Sequence, residues 1–123
     1  MIRECIKRAK ETGLKTVVCA ASVQEAKAIA KFSPDCIAFE DPELIGTLKS
    51  VSKLEPETLK EFVQVIKKIN PKIIPLCGAG IATSEDVKAA LRIGTNGILL
   101  ATAVVKSKNP AQAIKNLEKG FHV

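Results

Sequence analysis

The chain alternates short apolar segments with longer amphipathic ones, and this alternation is the feature that most constrains its fold. Four short segments rich in apolar and β-branched residues are predicted to be strands. They cover residues 15–20, 35–39, 72–77 and 97–101. A segment with apolar residues at helical spacing follows each of them, and one further helix, over residues 2–12, precedes the first strand. The chain therefore reads as one leading helix and four strand-helix units.

The predicted helices begin at recognisable starting residues. Ser and Thr followed three residues later by an acidic residue, and Pro in the first turn, are typical of helix N-termini. These signals are Ser22 with Glu25, Pro56, Thr83 with Asp86, and Asn109 with Pro110 and Gln112. They place the helix starts close behind the strands, except after the second strand, where a long stretch intervenes.

Strands that are apolar on both faces and separated by helices indicate a parallel sheet in an α/β fold. Neither a Gly-rich dinucleotide fingerprint nor a phosphate-loop motif is present, which disfavours nucleotide-binding open sheets. With 123 residues the chain is predicted to be a single domain, residues 1–123, and it is shorter than the ~250 residues of an eight-unit barrel. A small open sheet and part of a barrel both remain possible.

Composition disfavours several classes of function. The four cysteines lack metal-ligand spacing and the single histidine is His122, so no metal site is expected. The net charge of +6 comes from lysines spread over several helical faces, and aromatic residues make up only 3% of the chain, so no nucleic-acid partner is expected. With no membrane segment or signal peptide recognisable, a cytoplasmic location is expected.

Three of the four strand ends carry unusual residues. Glu40 ends the second strand and precedes a long loop, residues 41–53, which is a candidate lid. A glycine-rich turn, residues 77–81, follows the third strand, and the small residues 101–103 follow the fourth. In parallel α/β folds ligands bind at the carboxyl ends of strands.

Each of these features has a structural explanation as well: a solvated Glu, a tight turn, and close packing of a helix. Together they form a carboxylate base, a lid and an anion-binding loop on adjacent strand ends. That combination suits proton transfer on a small phosphorylated carbonyl compound.

The motifs that carry these features resemble triosephosphate isomerase in its shorter archaeal form. They are E40-D41-P42-E43-L44-I45-G46-T47, S50-V51-S52-K53, L76-C77-G78-A79-G80-I81, and G97-I98-L99-L100-A101-T102 followed by V104-V105-K106. The resemblance extends from about residue 14 to residue 121. It implies that the chain is the parallel (βα)4 half of a TIM (βα)8 barrel, units five to eight, preceded by one helix.

The resemblance also implies roles for individual residues. Glu40 is expected to shuttle a proton between adjacent carbons of dihydroxyacetone phosphate and glyceraldehyde 3-phosphate, without a cofactor or metal. Pro42, Ile45 and Thr47 are expected to lie in the lid. Backbone N–H groups of four residues are expected to bind the substrate phosphate: Gly46, Gly80, Ala101 and Thr102.

The same resemblance shows what this chain lacks. The family also uses an Asn-x-Lys and an electrophilic His, which belong to the other half of the barrel, and His122 lies too far along the chain to replace that His. Leu48 stands where the lid usually has a glycine, and Pro75 falls inside the third strand.

Two unpaired edges and an open apolar face predict association, either as a homo-oligomer or with a separate N-terminal half. The hypotheses are an isomerase completed by that half, a non-catalytic phosphate-binding and self-associating module, and a different phosphosugar enzyme of the barrel type. The lid motif disfavours the third.

Overall fold

The computed structural model describes residues 1–122 and contains a four-stranded parallel sheet. The strands are β1 (Val17–Ala20), β2 (Cys36–Phe39), β3 (Ile74–Cys77) and β4 (Gly97–Ile98). Their order in the sheet is the order in the chain, and each neighbouring pair is parallel. The predicted α/β fold with four parallel strands is confirmed.

Seven α-helices are assigned over the described residues, and five of them have eight or more residues. The longer helices are α1 (Ile2–Glu11), α2 (Val23–Ala30), α4 (Pro56–Ile69), α5 (Ser84–Ile93) and α7 (Pro110–Glu118). The short helices are α3 (Val51–Leu54) and α6 (Thr102–Val105), and a 3₁₀ turn, Lys119–Phe121, follows α7. Among these helices none is long and apolar enough to cross a membrane.

Several predicted boundaries differ from the structure: β1 and β3 begin two residues later than predicted, and two further differences lie near the carboxyl ends of the strands. The loop predicted over residues 41–53 ends at Ser50, because the Ser50 side chain accepts a hydrogen bond from Ser52 N and starts α3. The fourth strand was predicted to reach Ala101 but is assigned only over Gly97–Ile98, and Ala101 is the N-cap of α6. Two short helices, α3 and α6, therefore form part of the structure at the carboxyl ends of the strands.

The predicted helix starts are occupied as expected. Thr83 and Asp86 form a complete capping box, in which each side chain accepts a hydrogen bond from the other residue's backbone N–H. Ser22 and Asn109 cap α2 and α7 by accepting hydrogen bonds from the N–H groups three residues ahead. Such a cap typically contributes about 1 kcal/mol.

The hydrophobic core lies on one face of the sheet, under the helices. Ile37, Phe39 and Cys77 are fully buried there, and the Phe39 ring packs on Phe62 of α4 with a centroid distance of 5.3 Å. Because side chains alternate along a strand, the neighbouring residues point to the opposite face. That face carries Val17, Cys19, Cys36, Ala38, Ile74 and Leu76.

The opposite face is largely uncovered. Val17 is 51% exposed and Ile74 is 44% exposed. Both are apolar residues of paired strands, and both lie beside Cys36 in the sheet. We refer to the two sides as the helix-covered face and the open face. In a closed barrel the open face would be the barrel interior.

Pro75 lies inside β3 but does not interrupt the sheet. The pairing of β3 with β4 begins only at Leu76, and the Pro75 carbonyl accepts a hydrogen bond from Asn96 N at 2.8 Å. The side chain of Pro75 is buried on the helix-covered face. A proline is tolerated at this position because its nitrogen faces the β4 side, where strand pairing begins only at Leu76, so the pairing with β2 needs no N–H from it.

Candidate functional site

The loops that follow β2, β3 and β4 meet around a cavity of about 260 Å³ at the carboxyl ends of the strands. Its lining includes the predicted base and all four residues predicted to bind phosphate, together with one predicted lid residue. These are Glu40, Gly46, Gly80, Ala101, Thr102 and Ile45. Pro42 and Thr47 belong to the same lid but do not line the cavity.

Glu40 is held at the end of β2 by the backbone of a neighbouring strand. Its N–H donates to the Ala20 carbonyl at 3.0 Å, which continues the pairing between β1 and β2. The Glu40 side chain lies directly against Gly78, and a Cβ at Gly78 would collide with Glu40 Cγ. Gly78 therefore leaves the room that the carboxylate occupies, a role that the sequence analysis had not assigned.

Cys19 is a second residue at the site that sequence reasoning missed. The Cys19 side chain is exposed, yet partial desolvation, followed by the nearby Glu40 carboxylate, raises the pKa of its thiol to about 11. The thiol is therefore neutral near pH 7. Its position near the carboxyl end of β1, one strand away from Glu40, was the signal that could have identified it.

The lid begins with two local turns. Asp41 Oδ1 accepts a hydrogen bond from Glu43 N at 2.9 Å. Thr47 Oγ1 donates to the Leu44 carbonyl at 2.7 Å and accepts from Lys49 N at 3.1 Å. Thr47 thus holds the lid's own backbone, which explains why it does not line the cavity.

Leu48 adopts a conformation that is unusual for its residue type. Its φ angle is +58°, in the left-handed region, and Gly46 two residues earlier has φ +77°. The predicted loss of backbone freedom at Leu48 does not prevent this turn. A left-handed non-glycine residue costs on the order of 1 kcal/mol, however, so the lid is held under strain.

The C-terminal end of the lid is firmly anchored to α5. Ser52 Oγ donates to the Asp86 carbonyl at 3.0 Å, and Lys53 Nζ lies 2.9 Å from Asp86 Oδ1. Burial opposes ionisation of Asp86, but the hydrogen bonds from Lys53 and from the N–H groups of Ala82 and Thr83 outweigh it and lower the pKa. The motif S50-V51-S52-K53 therefore joins the lid to α5.

Just beyond the C-terminal end of the lid, a carboxylate occupies an unfavourable position. Glu55 precedes α4, and its Oε2 is buried without a hydrogen-bond partner among the described residues. Burial raises the pKa of Glu55, and Asp41 and Glu43 raise it further. Asp41 directly follows Glu40, so this acidic contact lies at the hinge nearest to the proposed base.

The glycine-rich turn after β3 packs against the backbone of the lid. Gly80 has φ +73°, and a Cβ there would collide with the Lys49 carbonyl. Val51 N donates to the Ala79 carbonyl at 3.4 Å. Only glycine permits this approach of the two backbones, so the turn has a packing role as well as its proposed binding role.

The four backbone amides predicted to bind an anion are not used in hydrogen bonds among the described residues. Over residues 1–122, the backbone N–H groups of Gly46, Gly80, Ala101 and Thr102 donate no hydrogen bond to protein atoms. A Cβ built on Gly46 would lie 4.0 Å from Thr102 Oγ1, so the lid tip reaches the start of α6. Free amides on loops that line one cavity are a suitable site for a phosphate group if they point into it.

The cavity contains a base and donors but no charged electrophile. Neither a lysine nor a histidine is among its lining residues, and His122 lies after α7 at the far end of the described chain. Within residues 1–122 no cluster of three or more His, Cys, Asp or Glu side chains is placed to hold a metal ion. The chain's own residues can therefore bind an anion and accept a proton, and little more.

The fold and the strand-end cavity define the class: half of an α/β barrel with its site at the carboxyl ends of parallel strands. Solved barrel proteins share this fold at low sequence identity. A thiamine phosphate pyrophosphorylase from Pyrococcus furiosus superposes with a TM-score of 0.72 at 19% identity, over 99% of this chain and 55% of that protein. An archaeal fructose 1,6-bisphosphate aldolase gives 0.71 at 15% identity, over 99% and 51%.

Sequence comparison gives the family. Residues 1–117 match the family model of triosephosphate isomerase. The triosephosphate isomerase of Methanocaldococcus jannaschii is 50% identical over 96% of this chain and 54% of that protein, and that of Pyrobaculum islandicum is 49% identical over 94% and 51%. The chain belongs to the triosephosphate isomerase family, as its motifs predicted. It spans about half the length of these relatives.

Proposed function

We propose that this chain supplies the base, the lid and the phosphate site of a triosephosphate isomerase, which becomes competent when an N-terminal half closes the barrel. One observation supports the proposal: Glu40 lines a single cavity at the strand ends together with the four residues whose backbone N–H groups donate no hydrogen bond within residues 1–122. The substrate is a phosphorylated triose, and no cofactor or metal is involved.

The residues around the cavity have separate roles in this proposal. The amides of Gly46, Gly80, Ala101 and Thr102 bind the phosphate, and Ile45 in the lid covers the reacting carbons. Glu40 removes a proton from the carbon beside the carbonyl of dihydroxyacetone phosphate, which leaves an enediolate, and returns it to the neighbouring carbon. Transfer of the hydroxyl proton from one oxygen to the other, assisted from the other half of the barrel, completes glyceraldehyde 3-phosphate. Closure of the lid desolvates the carboxylate and increases its basicity.

The carbonyl oxygen needs a partner that this chain does not place at the cavity. In this family the Glu base acts together with a neutral His electrophile and a closing loop. The family's Lys and His lie in the half of the barrel that precedes the matched region. The chain by itself is therefore expected to bind phosphate and to be a poor catalyst, since general acid–base assistance is worth about 10²–10⁴ in rate.

The test compares isomerase activity in three samples of the purified chain: unchanged, Glu40→Gln, and Glu43→Gln. Glu43 is an exposed lid carboxylate that does not line the cavity, which makes it a matched control. Each sample is assayed alone and after mixing with the unmatched N-terminal part of the M. jannaschii relative. Activity that appears on mixing and is abolished only by Glu40→Gln is the expected result.

A second function is favoured by one observation, the absence of Lys and His from the described cavity. It is a non-catalytic phosphate-binding module that associates with itself. Titration with inorganic phosphate, followed by NMR of the Gly46, Gly80 and Thr102 amides, separates the two functions. Amide shifts without turnover in any mixture would support the module, and turnover dependent on Glu40 would support the enzyme.

A further inference from the structure

Glu55 is a titratable residue that the proposed mechanism does not use, and its backbone position is fixed. It joins α3 to α4: its N–H donates to the Val51 carbonyl at 2.8 Å, and its carbonyl accepts from Leu59 N at 3.0 Å. Its side chain makes no cap hydrogen bond to α4, and Oε2 is buried without a hydrogen-bond partner among the described residues. A buried carboxylate oxygen without a partner destabilises the fold, so this arrangement calls for an explanation.

The charged groups that act on Glu55 come from the start of the lid, and they are acidic. They are Asp41, which lies within hydrogen-bonding reach of the Glu55 carboxyl group, and Glu43. Over residues 1–122, none of these three carboxylates forms an ion pair with a basic group. Lys53, two residues before Glu55 in the chain, is paired with Asp86 on α5 instead, at 2.9 Å. The three carboxylates therefore face one another without a basic partner.

Asp41 organises the first turn of the lid. Its Oδ1 accepts a hydrogen bond from Glu43 N at 2.9 Å, and its carbonyl accepts one from Leu44 N at 3.0 Å. A carboxylate accepts several hydrogen bonds, so Asp41 can accept one more without giving up this turn. A bond from Glu55 to Asp41 would join the two ends of the segment 41–55 and hold the lid at its first residue.

One proton decides whether that bond exists. When both carboxyl groups are ionised they repel each other, and neither has a proton to donate; a proton on one of them replaces the repulsion with a charge-assisted hydrogen bond. Burial raises the pKa of Glu55, and Asp41, followed by Glu43, raises it further. The stabilisation is therefore fully present below the ordinary pKa of 4.5 and is lost as pH rises through the raised pKa.

We propose that Glu55 and Asp41 form a latch on the lid that a proton closes. Protonated Glu55 donates a hydrogen bond to Asp41 and holds the start of the lid against the start of α4, and loss of the proton releases it. Residues at the ends of a lid absorb its motion, and Asp41 directly follows Glu40, so the closed latch restrains the backbone next to the proposed base. The latch goes beyond the proposed function and rests on it only for the roles of the lid and of Glu40.

The first test is an NMR titration of the side-chain carboxyl groups in the unchanged chain, Asp41→Asn and Glu43→Gln. Asparagine keeps the oxygen that Glu43 N needs but removes the charge beside Glu55. The pKa of Glu55 is expected to fall towards 4.5 in Asp41→Asn. It is expected to fall less in Glu43→Gln, because Glu43 acts through its charge alone and contributes least.

The second test measures amide hydrogen exchange in the lid, expressed as protection relative to an unfolded chain at the same pH. The amides of Glu43, Leu44 and Thr47 are expected to be about fivefold more protected at pH 4 than at pH 7, the effect of about one hydrogen bond. Glu55→Gln places a permanent donor beside Asp41 and is expected to keep the higher protection at both pH values. Glu57→Gln, on an exposed residue in the first turn of α4, is the matched control and is expected to behave like the unchanged chain.

Three results would overturn the latch: a Glu55 pKa that Asp41→Asn leaves unchanged, equal lid protection at pH 4 and pH 7 in the unchanged chain, or a Glu55→Gln variant whose protection still depends on pH. Circular dichroism at both pH values verifies that each variant is folded. Neither test uses substrate, so failure of the latch leaves the proposed function in place. Isomerase activity that survives Glu40→Gln would remove the proposed function and leave the latch.

Discussion

The two faces of the sheet differ in how completely this chain covers them. On the helix-covered face Ile37, Phe39 and Cys77 have no more than 2% exposure. On the open face Val17 and Ile74 are about half exposed, although they belong to the same strands. The helices of this chain bury one face of the sheet and leave the other face partly in contact with water. Stability is therefore expected to depend on the helix-covered face, and the proposed function on the carboxyl ends of the strands.

The difference between the two faces is tested most strongly by truncating one side chain on each face. Phe39→Ala is expected to lower the free energy of unfolding by about 3–5 kcal/mol, because it leaves a cavity against Phe62. Ile74→Ala removes a side chain that water already contacts, so about 1 kcal/mol or less is expected. Urea unfolding of both variants measures the difference.

Equal losses in the two variants would show that the open face is covered in solution by something absent from the structure. Repeating the measurement in the presence of the unmatched N-terminal part of the M. jannaschii relative sharpens the test. The cost of Ile74→Ala is then expected to rise, while that of Phe39→Ala stays the same.

Thiol labelling compares the faces without changing the core. Exposed Cys5 is expected to react first, and Cys19 about 100-fold more slowly, because its pKa of about 11 leaves little thiolate. Cys77 is buried and its pKa is raised to about 12 by burial, so it is expected to react only on unfolding. Mass spectrometry after reaction with an aromatic disulfide reports each site.

Glu40→Gln provides the control for this labelling. It removes the negative charge beside Cys19 and is expected to speed labelling of that thiol while leaving Cys77 protected. An unchanged Cys19 rate would contradict the contact between the two side chains.

Two carboxylates near the C-terminal end of the lid, Asp86 and Glu55, are expected to respond to pH in opposite directions. The pKa of Asp86 is lowered, so the stability it contributes is present above its ordinary value of 3.8 and is lost as pH falls through the lowered pKa. Asp86→Asn is expected to cost about 1–2 kcal/mol at pH 7, chiefly through the lost cap, and to make unfolding less sensitive to acid.

The pKa of Glu55 is raised, so its contribution has the opposite sign. It stabilises the fold below its ordinary value of 4.5 and is lost as pH rises through the raised pKa. Glu55→Gln is expected to raise stability at pH 7 by a few tenths of a kcal/mol, since solvent screens part of the repulsion. Thermal unfolding from pH 3 to 8 checks both variants, and curves that shift in the same direction would contradict the assignment.

The smallest expected effect concerns the strained lid. Leu48→Gly removes the cost of a left-handed leucine, so the folded state is relieved by about 1 kcal/mol, but glycine also gains entropy in the unfolded chain. The net change is expected to be within about 0.5 kcal/mol, with Thr47→Gly, which loses the lid's internal hydrogen bonds, clearly destabilising by comparison. Urea unfolding ranks the two.

A substantial part of the fold could be predicted from the sequence. Helix starts such as Thr83 and strand ends such as Glu40 are local signals, because capping and hydrophobic alternation act over a few residues. Six of the eight predicted site residues line one cavity, since parallel strands place their carboxyl ends on one rim, whereas Pro42 and Thr47 do not line it. The boundaries were less accurate: α3 and α6 are single turns that periodicity cannot detect.

The sequence by itself determined the alternation, the parallel sheet, the family motifs and the residues at the strand ends, because each depends on neighbours within one or two turns. Only the tertiary structure decided that Gly78 makes room for Glu40, that Cys19 lies near it, and that Asp86 holds the lid. These facts depend on distances between residues far apart in the chain, which packing sets and local pattern does not.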